Sequence, residues 1–470
     1  MFPDSLYPQM QTDGENLRPL LEETLRLSHQ YLQEIDQQRV SHPDYKVQLP
    51  QLPDEGLGGP EVLRLFREAF YPLIVGSSGP RYWGFVTGGT TPAAIAGDWL
   101  TTVFDQNTQN ASGTGDVSAA LELHTVRLLL EMFGLPDVFT GGMVTGATMS
   151  NFTGLAVARQ WMGQTQNRDI AREGLLPGIK VYAAVPHSSA IKSLAMLGMG
   201  SANLVAIPAL PGRESMDTQA FEVLLRENRD QPFILIANAG TVNTVDFDDF
   251  TFIKSLREKH RFWWHVDAAF GGFAACSPRY RHLVQGWEDA DSITVDFHKW
   301  LNTPYDSAAI FIRKEHAALQ VATFQNSNAP YLGDPLAQFN YLNFLPENSR
   351  RFRALPVWFT LMAYGKEGYR SLVERCCGLA HALATGIKGL EGFELAAPVR
   401  LNTVCFRLSS PHEQKTDALL QALARSGRLF ITPTVYRGMR CLRAALVNWR
   451  TGPEDIAVAI EELKTALQKA

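Results

Sequence analysis

Apolar residues follow a helical period near the N-terminus of the chain. Leu21, Leu25, Leu32 and Ile35 recur at this spacing between charged residues, which predicts an amphipathic helix. The apolar face of this helix could pack on the protein's own core or on a partner subunit, and the pattern fits both. A Pro- and Gly-rich linker and a second helix, over residues 61–70, are predicted to follow.

Between residues 117 and 312, helical patterns alternate with short runs that are apolar at nearly every position. Such runs are typical of strands buried on both faces, and their alternation with helices predicts an α/β fold with a mainly parallel sheet. The predicted strands are 180–185, 203–207, 233–237, 262–266, 292–297 and 308–312. The predicted helices are 117–133, 148–168, 188–197, 218–228 and 249–259.

After residue 353 the pattern changes to a long helix followed by a mixture of strands and helices. A chain of 470 residues exceeds one ordinary hydrophobic core, so more than one domain is expected. We predict an N-terminal helical segment (1–90), a large domain (91–350) and a smaller C-terminal α+β domain (351–470). In the last of these, the predicted helices are 355–387, 413–425 and 454–469, and the predicted strands are 404–408 and 443–448.

The composition is that of an ordinary globular protein, with 45% hydrophobic and 19% charged residues. A net charge of −5 and the lack of a basic run argue against nucleic-acid binding. No apolar run approaches the ~18 residues of a membrane span, and the N-terminus has no signal-peptide pattern. The five cysteines lack metal-binding spacing and fit a reducing compartment, so we expect a cytoplasmic protein without a metal site.

The most informative local sequence surrounds Lys299. A predicted strand over 292–297 runs straight into His298-Lys299, and Pro304 then prevents its continuation. Removing an ammonium group from water favours the neutral amine, which can condense with a carbonyl group to form a Schiff base. A lysine alone does not carry this conclusion, since most loop lysines are simply solvated.

Several polar residues follow other predicted strands and are expected at the same edge of the sheet, where α/β proteins bind their ligands. Asp267 ends a strand ahead of Ala268 and Ala269. Such a carboxylate could keep a pyridine nitrogen protonated, with Ala269 leaving space for the ring, or it could cap a turn. His187 could stack on a flat ligand or fill a structural role.

The segment 144–151 has the pattern of a phosphate-binding turn. A strand ends at Val144, Gly146 allows a tight turn, and hydroxyl side chains open a helix whose N-terminus favours an anion. The pattern is common in proteins and is a weak signal alone. His298 could bond the same phosphate or satisfy an acceptor in the core.

These motifs occur together and in a characteristic order: His187-Ser-Ser, His265-Val-Asp-Ala-Ala, Asp291-Ser with His298-Lys-Trp, and Arg350-Arg-Phe-Arg-Ala-Leu. Over nearly its whole length the chain resembles the group II amino-acid decarboxylases, which depend on pyridoxal 5'-phosphate (PLP). The resemblance implies the fold-type I PLP-dependent transferase fold, with a seven-stranded, mainly parallel sheet in the large domain. It also implies a homodimer with shared active sites, in which the N-terminal segment packs on the partner subunit.

The resemblance further implies roles for individual residues. Lys299 forms the Schiff base with PLP, Asp267 bonds the pyridine nitrogen, and His187 stacks on the ring. Tyr331, in a predicted lid over 328–332, protonates the substrate carbon, directly or through His187. Relatives that form aldehydes carry phenylalanine at this lid position, so Tyr331 favours decarboxylation. The other implied cofactor contacts are Ala147, Thr148, Thr241, Ala269, Ser292 and His298.

Two positions depart from the family pattern. Many relatives have a second threonine after Gly-Thr, where this chain has Val242, so Thr241 or Asn243 is expected to take over that contact. Asp296 stands where some relatives carry asparagine near the phosphate. A carboxylate beside a dianion is unfavourable unless it is turned away or protonated.

The sequence therefore predicts a PLP-dependent enzyme that decarboxylates an L-amino acid to its amine and CO2. Phe85 and Trp83 are predicted substrate contacts, together with Arg350, which matches an arginine that the family keeps near the active site. The aromatic residues favour an aromatic or hydrophobic substrate, whereas Arg81 could instead pair with an acidic one. The alternatives are an acidic amino-acid decarboxylase, an aldehyde synthase, an aminotransferase or another PLP-dependent lyase, and a non-catalytic scaffold.

Overall fold

The computed structural model describes residues 6–110, 117–175, 177–228, 231–325, 336 and 339–470. Its N-terminal part contains the helices α1 (Pro8–Glu15), α2 (Leu17–Glu34), α3 (Gly59–Ala69) and α4 (Pro92–Phe104). α2 and α3 correspond to the two predicted helices. α4 was not predicted, although Thr91 caps it by accepting a hydrogen bond from Ala94 N and Pro92 opens its first turn.

Seven strands form the largest sheet: β1 (Phe139–Val144), β2 (Val181–Ala183), β3 (Leu204–Ala206), β4 (Phe233–Asn238), β5 (Phe262–Asp267), β6 (Ser292–Asp296) and β7 (Ala308–Arg313). Their order in the sheet is β1-β7-β6-β5-β4-β2-β3. β7 runs antiparallel to both β1 and β6, and the other neighbouring strands are parallel. The predicted α/β fold with a mainly parallel seven-stranded sheet is confirmed.

Helices cover both faces of this sheet. Along β4 the side chains alternate, so that Ile234 and Ile236 join one apolar core while Phe233, Leu235 and Ala237 join the other. Burial on both faces explains why the strand is apolar at nearly every position. The helices of this part are α5 (Ser118–Phe133), α6 (Ala147–Gln164), α7 (Ile170–Glu173), α8 (Ser188–Met196), α9 (Thr218–Glu227), α10 (Phe250–Leu256) and α11 (Ala317–Phe324).

The C-terminal part begins with the long helix α12 (Ala354–Lys388), which is kinked at Gly365, where φ is 57°. A second, antiparallel sheet follows, made of β8 (Phe393–Leu395), β9 (Thr403–Leu408), β10 (Thr432–Tyr436) and β11 (Met439–Ala445) in the order β10-β11-β9-β8. The helices α13 (Thr416–Ser426) and α14 (Pro453–Lys469) pack on each other beside it. The two shortest strands of this sheet, β8 and β10, were not predicted.

One segment of the predicted N-terminal part packs on the C-terminal part and forms backbone hydrogen bonds beside the second sheet. The backbone N–H of Trp83 donates to Phe430 O at 2.8 Å, and Ala445 N donates to Trp83 O at 2.9 Å. The Trp83 side chain lies in the apolar core of the C-terminal part. The domain boundaries therefore stay a prediction. Among the described residues, no helix is long and apolar enough to cross a membrane.

Candidate active site

A cavity of about 310 Å³ opens at the carboxyl ends of β4, β5 and β6. Parallel strand pairing brings Asn238 beside Asp267 and Asp267 beside Thr294, so the residues that follow these strands meet at one edge. The helices α6 and α8 begin at the same edge. The cavity is lined by Phe85, Val86, Gly146, Ala147, Thr148, Val185, His187, Ser189, Asn238, Gly240, Thr241, Val242, Asp267, Ala269, Phe270, Asp296, His298, Lys299 and Arg443.

Lys299 lies in this cavity directly after β6. Its side chain is 13% exposed, and Nζ lies 2.8 Å from Asp296 Oδ2. Nζ also lies 5.5 Å from the centre of the Phe270 ring, within the range of a cation–π contact. The lysine is therefore held in a largely enclosed place by a carboxylate of its own loop.

Asp267 ends β5 and is 5% exposed. Its Oδ2 accepts a hydrogen bond from Asn151 Nδ2 at 3.0 Å, and its Oδ1 accepts one from Ala269 N at 3.2 Å. Both contacts fix the carboxylate in the lining of the same cavity as Lys299. The Lys299 amine and the Asp267 carboxylate, which the sequence predicts to act on the same ligand, therefore lie in one cavity.

A chain of hydrogen bonds supports Asp267 from behind. Trp263 Nε1 donates to Ser292 Oγ at 2.9 Å, which leaves the Ser292 hydroxyl to donate to His265 Nδ1 at 2.8 Å. His265 Nε2 then donates to Asn151 Oδ1 at 2.9 Å. Because a carboxylate only accepts, the Asn151 amide nitrogen must face Asp267. Burial lowers the pKa of His265 to about 4, so this histidine is neutral at neutral pH.

His187 caps the N-terminus of α8, and its ring is exposed on the cavity side. Its Nδ1 accepts from Ser189 N at 3.2 Å and lies 2.7 Å from Ser189 Oγ. Desolvation by the surrounding protein lowers the pKa of His187, against the opposing effect of the Asp267 carboxylate. The ring is therefore neutral at neutral pH, with its proton on Nε2.

The N-terminus of α6 forms one end of the cavity. The first backbone N–H groups of a helix have no acceptor within the helix, so Ala147 and Thr148 present donors there. A Cβ atom at Gly146 would lie 3.7 Å from His298 Cε1 and 4.0 Å from Asp296 Oδ1. His298 and Asp296 therefore border the same end, and burial lowers the pKa of His298.

A Gly-rich segment brings Phe85 and Val86 to the cavity. Gly88 N donates to His298 O at 3.0 Å, and a Cβ atom at Gly88 would overlap the Lys299 carbonyl oxygen. Phe85 and Val86 both have left-handed backbone conformations, with φ of 57° and 58°. Such conformations cost about 1–2 kcal/mol each in non-glycine residues, so close packing against the Lys299 loop must hold this segment in place.

Three predicted site residues lie elsewhere, and these predictions are corrected. Ser292, a predicted phosphate ligand, lies at the first position of β6, away from the strand end, and bonds His265 and Trp263. Trp83 lies in the C-terminal core, where its Nε1 donates to Pro80 O at 2.7 Å. Arg350 is fully buried and bonds Glu122 Oε1 at 2.6 Å, outside the cavity lining.

Some of the other predicted site residues line the cavity and others do not. Tyr331 lies outside the described residues. Thr241 lines the cavity, but its hydroxyl donates to Glu214 Oε2 at 2.6 Å. Asn243 does not line it, because its amide bonds Glu214 and Val435 O. The other predicted contacts at the cavity are Ala147, Thr148, His187, Ala269, His298 and Phe85.

Sequence reasoning missed Arg443. It lies on β11, and its Nη1 donates to Val242 O at 2.9 Å, which carries the guanidinium into the cavity wall. Its Nε has no hydrogen-bond partner among the described residues. Burial lowers the pKa of Arg443, but a guanidinium stays charged at neutral pH. An isolated arginine in a strand of the C-terminal part gives no sequence signal for such a role.

The family model for the pyridoxal-dependent decarboxylase conserved domain matches residues 43–409. The aromatic-L-amino-acid decarboxylase of Bacillus atrophaeus is 27% identical over 433 residues, covering 89% of this chain and 87% of that protein. Tyrosine decarboxylase 2 of Narcissus pseudonarcissus is 27% identical over 441 residues, covering 87% of this chain and 85% of that protein.

Solved structures share the fold. Oryza sativa TDC with PLP and tryptamine has a TM-score of 0.87 and 22% identity, and the match covers 97% of this chain and 98% of that one. Mouse CSAD has a TM-score of 0.86 and 23% identity, with 97% and 100% coverage. Rhodiola rosea 4-hydroxyphenylacetaldehyde synthase has a TM-score of 0.85 and 19% identity, with 97% and 98% coverage. The fold alone therefore does not separate a decarboxylase from an aldehyde synthase.

Proposed function

This chain belongs to the pyridoxal-dependent decarboxylase family, and from that premise we propose that it decarboxylates an aromatic or hydrophobic L-amino acid. PLP-dependent amino-acid decarboxylation is its activity, and PLP is its cofactor. The choice of substrate is the open question. The single observation that supports our choice is the charge of the cavity wall: Arg443 is its one guanidinium among the described residues.

The residues of the cavity fit PLP. The α6 N-terminus offers a phosphate N–H groups that have no acceptor within the helix, Lys299 offers an amine to a carbonyl, and Asp267 offers a carboxylate to a ring nitrogen. When bound, PLP supplies a carbonyl that condenses with amines and a ring that accepts the electrons released as CO2 leaves.

In this arrangement each protein group has a defined task. Asp267 holds a proton at the ring nitrogen, and the Asn151 amide keeps the carboxylate in place. His187 presents a neutral ring with Nε2–H to the cavity. Arg443 binds and orients the substrate carboxylate, a pairing that guanidinium geometry favours. Tyr331 stays the proposed proton donor to the substrate carbon.

The walls around Arg443 favour an apolar substrate side chain. Phe85, Val86, Val185 and Val242 contribute apolar surface to the cavity. An acidic substrate would need a second cation for its distal carboxylate. Arg81, the earlier candidate, is committed elsewhere, because its Nη1 bonds Asp455 at 2.7 Å and its Nε donates to Arg428 O at 3.0 Å.

We propose that the protein acts as a homodimer in the cytoplasm. An apolar stripe on α2, formed by Leu17, Leu21 and Leu25, is about half exposed and borders the exposed Trp99 of α4. A stripe of this kind fits a second copy of the chain. Five free thiols support the reducing compartment.

The test of the proposed function is a substrate screen with purified, PLP-loaded protein. Each of the twenty amino acids is supplied, and CO2, amine, aldehyde, ammonia and peroxide are measured. We expect equal amounts of CO2 and amine, with tryptophan, tyrosine or phenylalanine as the best substrate. Aldehyde with ammonia and peroxide, or a preference for glutamate or aspartate, would contradict the proposal.

A pair of variants links that activity to the site. Lys299→Arg keeps the positive charge but removes the amine, so we expect activity to fall by about a thousandfold or more and borohydride to trap no cofactor. Lys366→Arg alters an exposed lysine that bonds Glu131 at 2.8 Å, and it should leave both readouts unchanged. A Lys299→Arg protein that still decarboxylates at the normal rate would remove Lys299 from the mechanism.

A further inference from the structure

Glu214 lies in the loop between β3 and α9 and is buried against the turn that follows β4. The residue is 5% exposed. Its Oε2 accepts hydrogen bonds from the Thr241 hydroxyl at 2.6 Å and from the backbone N–H and the hydroxyl of Thr244, at 3.1 Å and 2.7 Å. Its Oε1 accepts from Asn243 Nδ2 at 3.0 Å. One carboxylate therefore holds the turn 241–244 at both of its ends.

The turn 241–244 joins the cavity to the second sheet. The Thr434 hydroxyl of β10 donates to Asn243 Oδ1 at 2.6 Å, and Asn243 Nδ2 also donates to Val435 O at 3.3 Å. Val242 lines the cavity, and its carbonyl oxygen accepts from Arg443 Nη1 of β11 at 2.9 Å. The position of the turn therefore sets the position of the guanidinium in the cavity wall.

The Arg443 guanidinium depends strongly on this contact. Its Nη2 lies 3.5 Å from Thr432 Oγ1, at the limit of a hydrogen bond, so the bond to Val242 O is the stronger of the two. Burial lowers the pKa of Arg443, and the negative charge of Glu214 is among the effects that oppose this decrease. Glu214 is not one of the residues that line the cavity. Its influence on a bound ligand therefore passes through the turn and Arg443.

We propose that Glu214 is a positioning residue for substrate recognition: it holds the turn 241–244 so that Val242 O keeps the Arg443 guanidinium in place for the substrate carboxylate. This inference rests on the role of Arg443 in the proposed function. It predicts a selective effect. Disturbing Glu214 weakens the binding of carboxylates and leaves the binding of amines and of PLP unchanged.

Glu214→Gln disturbs this arrangement at constant side-chain volume. A glutamine side chain has one oxygen, so it satisfies the donors at the Oε2 position only by turning its NH2 group towards Asn243 Nδ2. Two donors would then face each other. Rotation of the Asn243 amide relieves this conflict but breaks its bond to Val435 O. Thr434→Val removes the hydroxyl that donates to Asn243 Oδ1 and disturbs the same link more mildly.

The test uses the whole PLP-loaded chain and two competing ligands. 3-Phenylpropanoate has a carboxylate and no amine, and 2-phenylethylamine has an amine and no carboxylate. Their inhibition constants are measured against decarboxylation of the best substrate of the screen. The variants are Glu214→Gln, Thr434→Val, Arg443→Met and the combination of the first with the third. Asp417→Asn is the control, because Asp417 bonds Arg440, also on β11, at 2.8 Å, but this pair is exposed.

For Glu214→Gln we expect the inhibition constant of 3-phenylpropanoate to rise about tenfold, because a hydrogen-bonded ion pair is weakened. That of 2-phenylethylamine should change less than about twofold, since this ligand offers no carboxylate to a guanidinium. Thr434→Val should show the same selective change at about threefold, and it provides the test if Glu214→Gln does not fold. Asp417→Asn should match wild type. Thermal unfolding and the absorbance of bound PLP check each variant.

The combined variant shows whether Glu214 acts through Arg443. We expect Arg443→Met to weaken 3-phenylpropanoate binding about a hundredfold, since the charge and its hydrogen bonds are lost. Adding Glu214→Gln should weaken it no further, because both changes remove the same contact. A tenfold loss that persists in the Arg443→Met background would overturn the inference.

Other outcomes separate the inference from the proposed function. Equal weakening of both ligands in Glu214→Gln, or loss of its PLP, would show a general effect on the cavity and overturn the inference. Unchanged binding of 3-phenylpropanoate in both Glu214→Gln and Thr434→Val would do the same. If Arg443→Met binds 3-phenylpropanoate as wild type does, the proposed role of Arg443 is wrong. A wild type that neither ligand inhibits would contradict the proposed aromatic or hydrophobic substrate.

Discussion

His265 shows how a single buried residue organises this site. Its ring accepts a hydrogen bond from Ser292 and donates one to Asn151. The Asn151 amide in turn donates to the Asp267 carboxylate, and to Ser189 Oγ at 3.0 Å. The direction of these hydrogen bonds requires a proton on Nε2 of the His265 ring and none on Nδ1. Protonation of His265 would turn Nδ1 into a donor, so the Ser292 hydroxyl would accept from both Trp263 and His265 and would lose the acceptor for its own proton.

This requirement gives a prediction for stability as a function of pH. The ordinary pKa of histidine is 6.5, and burial lowers that of His265 to about 4. Below pH 6.5 the unfolded chain binds a proton that the folded protein resists until about pH 4, so stability falls as the pH falls through this window. Between about pH 7 and about pH 5 we expect His265 to contribute a loss of roughly 2 kcal/mol, measured by urea denaturation.

His265→Gln is the comparison for this prediction. The variant is expected to be less stable at both pH values, because Asn151 and Ser292 lose their partner. Its loss between the two pH values should, however, be smaller than that of wild type by about the same 2 kcal/mol. An equal loss in both proteins would mean that His265 is not the group that titrates.

At the residue scale, position along a strand decided which of the predicted residues lie at the cavity. Lys299, Asp267 and His187 follow the carboxyl ends of strands, and parallel pairing brings such residues to one edge. Ser292 was expected to contact the cofactor only because of the family resemblance, and it opens β6 and lies toward the opposite end of the strand. Arg443 could not be predicted, because its place in the wall depends on how the second sheet docks on the first.

At the scale of elements, the Gly-rich segment before α4 acts as a strap over the Lys299 loop. Gly88 and Thr91 donate backbone hydrogen bonds to His298 O and Asn302 O, at 3.0 Å and 2.9 Å. The close approach explains why the segment needs glycine at position 88. It also explains how Phe85 and Val86 are kept in their left-handed conformations.

Gly88→Ala tests this packing. The added Cβ atom would overlap the Lys299 carbonyl oxygen, so either the strap or the Lys299 loop must move. We expect a loss of about 2–3 kcal/mol in the free energy of unfolding, together with weaker retention of PLP after desalting. Gly378→Ala is the control, because nothing lies within 4 Å of its Cβ and it lies within α12.

Alanine is the better helix former, so Gly378→Ala should gain about 0.5–1 kcal/mol and retain PLP normally. Denaturation by urea and absorbance of the bound cofactor give the two readouts. A Gly88→Ala protein as stable as wild type would show that the strap does not depend on this close approach.

The helices and strands with the clearest patterns of apolar residues were the ones that could be predicted. The strands β4, β5 and β7 are apolar at most positions, whereas β6 (SITVD) alternates with polar residues, and the bounds of all four strands differ from the predicted bounds by one residue at most. The short strands β8 and β10 carry little pattern. α4 was missed because the Gly-rich segment before it obscured the cap formed by Thr91.

At the scale of the whole molecule, the exposed faces of α2 and α4 lack cover within the described chain. Leu21 and Leu25 are 51% and 52% exposed, and Trp99 is 42% exposed. Burial of such side chains is worth roughly 1.5–3 kcal/mol each, which gives a second copy a reason to bind there.

Leu21→Glu combined with Leu25→Glu tests the dimer. Two carboxylates on the stripe should convert a dimer into a monomer in sedimentation velocity at micromolar concentration, without loss of helical content. Leu52→Glu is the control, because Leu52 is 96% exposed in the linker after α2 and should leave the dimer intact. A wild-type protein that sediments as a monomer would contradict the proposed assembly.

The entry of Arg443 from β11 has a consequence for how the enzyme matures on the ribosome. Phe85, Gly146, Asp267 and Lys299 are all synthesised well before Arg443, which arrives with the second sheet. A nascent chain therefore contains Lys299 before it contains the guanidinium that we propose binds the substrate carboxylate. The proposed binding of a substrate carboxylate therefore has to wait until the strand that carries Arg443 has been synthesised.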